Sequence, residues 1–410
     1  MKVLIVSQYF WPESFRINEL IQSLIKRGVD VDVLTGQPNY PEGVVFPGYR
    51  AGACQQEYWS GARIYRVPLA PRGSKSAIKL AFNYLSFVVS GLLIGPWMLR
   101  KNNYDVIFVY APSPILQAIP AIFLGWLKRC GVIVWVQDLW PESLQATGYV
   151  RNPRILAAVA QVVRFIYRHS DLLLVQSEAF EARVAALAPG TRVVYYPNSV
   201  DSSFAVPSEM SLPDIPALKE GFCIVFAGNI GTGQAVEVIV EAAALLTEYA
   251  DIRFVVLGHG SRWDWMREEV QVRGLSNVYL PGRYPVETMP GLMQKASALL
   301  VTLADQPIFA ATVPSKVQAY MAAGKPILAC LNGEGARLVS KAQAGLVSAA
   351  ENAQALADSI LCLYKMTDAE RAQMGENGRR YFKEHFDQDI LTDQLIDHFH
   401  AVSASSKGQE

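Results

Sequence analysis

The chain has 410 residues, 51% of them hydrophobic and 18% charged, which excludes a disordered or fibrous protein and exceeds the roughly 250–300 residues that one core organises, so two domains are expected. Basic and acidic side chains balance at 37 each, yet residues 1–200 hold 20 Lys/Arg against 12 Asp/Glu, and residues 201–410 hold 17 against 25. The +8 and −8 halves point the first toward an anionic surface or lipid phosphate, and the lack of any Lys/Arg-rich run argues against nucleic acid.

Val3–Ser7 is an apolar run too short for a signal-peptide core and is expected as the first strand. Gln8–Arg16 follows as a loop, Ile17–Gly28 has helical spacing closed by glycine, and Val29–Leu34 reads as the next strand. A strand–helix–strand unit implies a parallel sheet, extended by apolar runs at Val106–Tyr110, Val132–Val136, Leu172–Gln176 and Val193–Tyr196. Asp30-Val31-Asp32 has the spelling of a metal motif, but alternation places both acids on one face of a strand, toward solvent, so no metal is expected. Leu80–Leu99 is mostly apolar, with Arg72, Lys75 and Lys79 before it and Arg100 and Lys101 after it. Asn83, Gly91, Gly95 and Pro96 compromise it as a membrane span, leaving an interfacial helix with peripheral membrane contact through 72–101, or a buried packing helix. Ile115–Leu127 reads as core.

The plan restarts after Pro197–Asp201 and a Pro/Ser-containing linker at 206–216. Strands are expected at Phe222–Ala227, Phe254–Leu257, Val278–Leu280, Ala298–Thr302 and Ile327–Cys330, with a Gly-rich turn at Gly228–Gln234 and a helix at Ala235–Leu246. The chain is therefore read as α/β, with two doubly wound domains facing a central cleft: 1–205, and 206–385, the last helix at about 386–405 returning to the first domain. Five scattered cysteines without a Cys-x-x-Cys pair argue against a disulfide frame or zinc site and fit a reducing cytoplasm.

Chemistry is densest at Thr312–Ala329, expected as a helix start followed by a buried strand. Pro314 suits the first helical position, Ser315 can cap free amides, and Lys316 adds positive charge where the helix dipole is already positive, an arrangement suited to a diphosphate. Gly324 and Pro326 then end the helix. In the first domain, Asp138 follows a strand at the edge where a parallel sheet presents ligands; it either orients a substrate hydroxyl or caps the next helix. Gln137 before it can hydrogen-bond a hydroxyl but cannot shuttle a proton near neutral pH.

Taken in order, Tyr9–Glu13, Gln137–Ser143, Tyr196–Asp201, Ala227–Gly231, Gly258–Gly260, Val313–Lys316 and Met321–Pro326 resemble the retaining nucleotide-sugar glycosyltransferases of sequence family 4, whose fold is GT-B, with two Rossmann-like domains. The chain is similar to the bacterial polysaccharide-assembly subgroup that includes L-fucosamine (N-acetyl) transferases. The resemblance implies a UDP-sugar donor, an undecaprenyl-diphosphate-linked acceptor in O-antigen, capsule or exopolysaccharide assembly, no cofactor or metal, and a place on the inner face of the cytoplasmic membrane. It implies catalytic roles for Asp138, Lys316 and Glu13, donor contacts from Gly231, Gly258, Arg262, Arg283, Ser315, Lys316, Val317 and Glu334, and acceptor contacts from Arg16, Asn18 and Gln137. The family's paired glutamates fall on Ala311 and Ala319, and Glu334 is the expected substitute for the one that binds ribose. A sugar-nucleotide epimerase and a non-catalytic nucleotide-sugar binder are the alternative readings.

Overall fold

A computed structural model describes residues 1–73, 76–146, 152–200 and 212–407; Lys75, Asp201 and linker residues 206–211 lie outside them. The chain divides into unit 1, Met1–Pro197 with Leu391–Glu410, and unit 2, Asn198–Ile390.

Unit 1 runs β1 (Lys2–Val6), α1 (Arg16–Lys26), β2 (Asp30–Thr35), β3 (Gln55–Trp59), β4 (Ala62–Arg66), α2 (Ala77–Leu93), α3 (Gly95–Met98), β5 (Val106–Ala111), α4 (Ala118–Lys128), β6 (Gly131–Val136), α5 (Glu142–Ala146), α6 (Pro153–Arg168), β7 (Leu172–Val175), α7 (Glu178–Leu187) and β8 (Arg192–Tyr195). The strands form one sheet in the order β3-β4-β2-β1-β5-β6-β7-β8, parallel except for the β3–β4 hairpin. Alternate residues serve opposite faces. Val3, Ile5, Phe108 and Ile133 pack with Ile17, Leu20 and Leu24 of α1 and with Leu391, Leu395 and Phe399 of the last helix. On the other face, α4 lies so close that a Cβ on Gly125 would be 2.5 Å from Val132.

Unit 2 runs β9 (Phe222–Ala227), α8 (Glu237–Leu245), β10 (Ile252–Leu257), α9 (Trp263–Val272), β11 (Val278–Gly282), α10 (Met289–Gln294), β12 (Ala298–Thr302), α11 (Pro307–Ala310), α12 (Ser315–Ala323), β13 (Ile327–Cys330), α13 (Glu334–Lys341), β14 (Gly345–Ser348), α14 (Ala353–Lys365) and α15 (Asp368–His385), and α16 (Gln388–Lys407) leads back to unit 1. All six strands are parallel, ordered β11-β10-β9-β12-β13-β14. Odd-numbered positions of β9 (Cys223, Val225, Ala227) pack with α12 and α13, and even-numbered ones (Phe222, Ile224, Phe226) with α8 and α14.

Several expectations are corrected. The division falls after Pro197, earlier than residue 205, because the Asn198 carbonyl accepts from Gln318 Nε2 at 2.8 Å and Val200 bridges Asp387. It returns after Ile390. The helix expected from Ala235 starts at Glu237, since a short 3₁₀ turn at Thr232–Gln234 leaves Ala235 left-handed at φ 45°. Asp30 and Asp32 do not both face solvent: Asp32 is buried, paired with Lys2 at 3.3 Å and accepting from the Tyr104 hydroxyl at 2.8 Å. Pro314 is the residue before α12, and Ser315, its first residue, makes no side-chain cap.

Candidate functional site

In a doubly wound sheet, ligands gather where the strand order reverses, beyond the carboxyl ends of the strands. In unit 2 that point lies between β9 and β12. The loops leaving these strands are joined there: the Ala304 amide donates to the Gly233 carbonyl at 3.1 Å and the Thr302 hydroxyl to the Gln234 carbonyl. Into the same place points Lys316, second residue of α12. Its Nζ donates to Gln234 Oε1 at 2.6 Å and stands 3.8 Å from the centre of the Phe226 ring. Among the described residues no carboxylate pairs with it, and burial pushes its ammonium down to about 7. The first turn of α12 holds no acidic residue. Its leading amides have no partner within the helix, so the helix start and Lys316 together form a positively polarised end.

Two glycines make room for this. Gly228, at φ 139°, passes under Lys316; a Cβ there would lie 2.6 Å from Cε. Gly258, at φ 148°, presses on the Gly228 carbonyl, 1.8 Å from where a Cβ would sit. Tyr320 then pins α12 to the end of β9, its hydroxyl accepting from the Ala227 amide at 3.1 Å.

In unit 1 the reversal lies between β1 and β5. Gln117, after β5, accepts the Gln8 amide at 2.6 Å, joining the two loops. Glu13 is buried in the loop after β1. Its Oε1 accepts from the Asn39 and Tyr40 amides, each at 2.7 Å, and its Oε2 from the Phe10 amide at 3.1 Å. Burial pushes its carboxyl up to about 7 despite these bonds. Arg66, fully buried, braces the same loop from the Trp11 carbonyl, the Gly36 carbonyl at 2.9 Å, and Glu57. Tyr9 and Phe15 stack at 5.5 Å, and Tyr40, under the Arg72 guanidinium, lies 5.1 Å from Phe15.

At the end of β6, Asp138 keeps part of its surface open, makes no hydrogen bond among the described residues, and is pushed up to about 7 by burial. Tyr110, at the end of β5, feels Arg16 and Asp138 with opposite sign, so a cation and an acid flank it. Gln137 Nε2 and the Tyr167 hydroxyl are buried without partners among the described residues. Such donors call for an occupant.

Comparison with known proteins now gives these two sheet edges a context. The family "Glycosyl transferase 4-like domain" matches residues 14–199 and "Glycosyl transferases group 1" matches 221–366. The chain is a family 4-like glycosyltransferase. It is 25% identical over 352 residues to the Escherichia coli (strain K12) protein named as the colanic acid biosynthesis glycosyl transferase WcaI, spanning 79% of this chain and 82% of that one. Among solved structures, sucrose-phosphate synthase from Thermosynechococcus elongatus superposes with TM-score 0.76 at 17% identity, covering 98% and 99% of the two chains. Anabaena Alr3699/HepE in complex with UDP does so with TM-score 0.67 at 12% identity, covering 98% and 100%. These likenesses establish the GT-B fold of the transferase.

Several expected site residues of the transferase are otherwise engaged. Asn18 spends both ends of its amide on the loop, donating to the Glu13 carbonyl at 2.8 Å and accepting from the Trp11 amide at 3.3 Å, and so shapes that loop. Glu13 likewise clamps two loops together through its carboxylate oxygens. Val317 is core, with its amide bonded to the Pro314 carbonyl at 2.9 Å. Gly258 is a packing glycine. Arg262 pairs with Glu237 at 2.5 Å and stacks on Trp265, while its amide anchors the Ile230 carbonyl. Glu334 is held by Arg337 through both carboxylate oxygens, which accept from Nη2 at 2.6 Å and Nε at 3.1 Å. Arg283 is exposed after β11, and Gly231 accepts from the Gln234 amide at 3.0 Å. Gln234, Phe226 and Tyr320 were not foreseen; the one signal for them was their nearness to the Gly-rich turn and to Lys316. Among the described residues no His/Cys/Asp/Glu group could hold a metal ion.

Proposed function

We propose that the transferase moves a sugar, an N-acetylated deoxyhexose such as L-FucNAc, from a UDP-sugar to an undecaprenyl-diphosphate-linked saccharide in polysaccharide assembly. The observation that carries this reading is Lys316: a buried ammonium without a carboxylate partner among the described residues, at the start of a helix and at the ligand-binding edge of unit 2. A diphosphate there would restore its proton and spread its own charge over Lys316 and the leading amides of α12. The UDP in the HepE complex and the polysaccharide role in the name of the E. coli relative support the donor class and the pathway.

In this reading the bond from the anomeric carbon to the β-phosphate oxygen breaks with its electron pair going to the phosphate, where Lys316 stabilises it. The acceptor oxygen bonds the anomeric carbon on the face the phosphate leaves, and its proton passes to a phosphate oxygen. Asp138 orients the acceptor hydroxyl, with Arg16 and Gln137 nearby as polar contacts. Mass spectrometry of products from a panel of UDP-sugars and an undecaprenyl-diphosphate-linked N-acetyl sugar tests this: one mass-matched adduct is expected, and none from any donor would refute it. UDP binding without any product would instead select a nucleotide-sugar binder without turnover.

A further inference from the structure

The fold uses only one face of α2. Inward, Asn83 is fully buried: Oδ1 accepts from Gln8 Nε2 at 2.7 Å and from the Tyr9 hydroxyl at 2.9 Å, and Nδ2 donates to the Ala70 carbonyl at 2.6 Å. Outward, Ile78, Phe82, Leu85, Val89 and Leu93 follow one another at helical spacing, so they form one stripe. Each leaves more than half of its surface to solvent. At 1.5 Å per residue, the 17 residues of α2 run for about 25 Å.

The two helices packed on α2 also expose apolar side chains. Trp97 of α3 and Trp126 near the end of α4 are also more than half exposed, although Ile115–Leu127 reads as core in the sequence. Lys128 holds their neighbourhoods together, donating from Nζ to the Leu99 carbonyl at 2.9 Å and the Asn102 carbonyl at 2.8 Å. Gly91 lets α4 approach α2, since a Cβ there would lie 2.8 Å from Pro120. Charge follows the same surface. Residues 72–101, which include α2 and α3, contain five Lys/Arg and no acid. Lys79, Arg100 and Lys101 are exposed at the ends of the stripe.

An uncovered apolar row of this length marks an interaction surface. Among the described residues no helix is long and apolar enough to cross a membrane. A second copy seated on the same face would bring two basic rims together. An apolar stripe with tryptophans on the adjoining helices and a basic rim complements an anionic bilayer surface.

We propose that unit 1 seats α2, α3 and the end of α4 in the interface of an anionic bilayer, with α2 lying along the surface. This rests on the reading of a lipid-linked acceptor and deepens it by naming the face. Through Asn83 that face is fixed to the loop after β1, so lipid docking and the acceptor edge of the sheet move as one body.

The test is flotation of the full chain with vesicles of phosphatidylglycerol and phosphatidylcholine in equal parts, against phosphatidylcholine alone, alongside the triple variant Phe82→Glu, Leu85→Glu, Val89→Glu. Recruitment to the anionic vesicles is expected, weakened at least about tenfold in the variant and by high salt. Calorimetric UDP binding of the variant is expected to match the wild type, which keeps the donor reading separate from the docking result, and an unchanged thermal unfolding profile by circular dichroism shows that unit 1 of the variant folds. Absent recruitment of the wild type, or undiminished recruitment of the variant, would overturn the proposal. So would a wild-type dimer, seen by sedimentation, that the variant converts to monomer without any vesicle binding.

Discussion

Burial at Lys316 makes UDP affinity depend on pH in a calculable way. Free protein holds this ammonium at about 7, whereas the diphosphate in the bound state favours the proton. The sign follows: above pH 7 the site has lost a proton that it must recover on binding, so affinity weakens as pH rises. The protonated fraction drops from about one half at pH 7 to about one hundredth at pH 9, a loss of about 50-fold in affinity or roughly 2.3 kcal/mol. UDP adds little slope of its own there, because a terminal phosphate loses its second proton near pH 6. Calorimetry at pH 7, 8 and 9 in buffers of different ionisation enthalpy would give both the affinity and the protons taken up, with close to one proton expected at pH 9. Lys316→Met should bind more weakly, by about 10- to 150-fold at pH 7, and without the slope. A wild-type affinity that is flat from pH 7 to 9, or a slope that survives in Lys316→Met, would refute the reasoning.

Other substitutions separate the two sheet edges. Asp138→Asn should lower turnover about 100-fold or more while leaving UDP affinity within about twofold, measured by steady-state kinetics and calorimetry. It should also stabilise the protein above pH 7: between about 4 and 7 the folded chain keeps a proton that the unfolded chain has lost, so stability declines as pH rises through that window, and thermal melts should show the variant free of this decline. Gly228→Ala drives a methyl into Lys316 and should weaken UDP binding about tenfold or more, whereas a normal affinity would show that Lys316 can move aside. Glu13→Ala strips three amides of their acceptor and should cost about 2–4 kcal/mol in chemical denaturation; a cost below about 1 kcal/mol would remove its role as a clamp.

Much of this architecture is legible in the sequence because parallel strands buried on both faces are written as unbroken apolar runs, as at Val106–Tyr110 and Phe222–Ala227. The hairpin β3–β4 is not, since Gln55–Trp59 is three polar residues followed by two aromatic ones at a sheet edge, with no apolar alternation, and β14 is only four residues long. Lys316 stands out as a cation at a helix start, and the structure adds what sequence cannot carry: among the described residues no acid pairs with it, and a glycine runs beneath it. Residues such as Asn18 and Glu334 looked available because nothing local assigns their partners. Asn18 is taken by backbone groups of the folded loop, and Glu334 by an arginine one helical turn away. Asp32 misled by pattern alone, since its face of β2 meets Lys2 and Tyr104 from other strands and loops.

The claim beneath all of this is that the leaving diphosphate sits at the start of α12. A crystal structure of the full chain with UDP tests it most directly. The β-phosphate is expected within about 3 Å of Lys316 Nζ and beside the amides of Ser315 and Lys316. Clear density for the diphosphate elsewhere, with Lys316 still bonded to Gln234 alone, would contradict it.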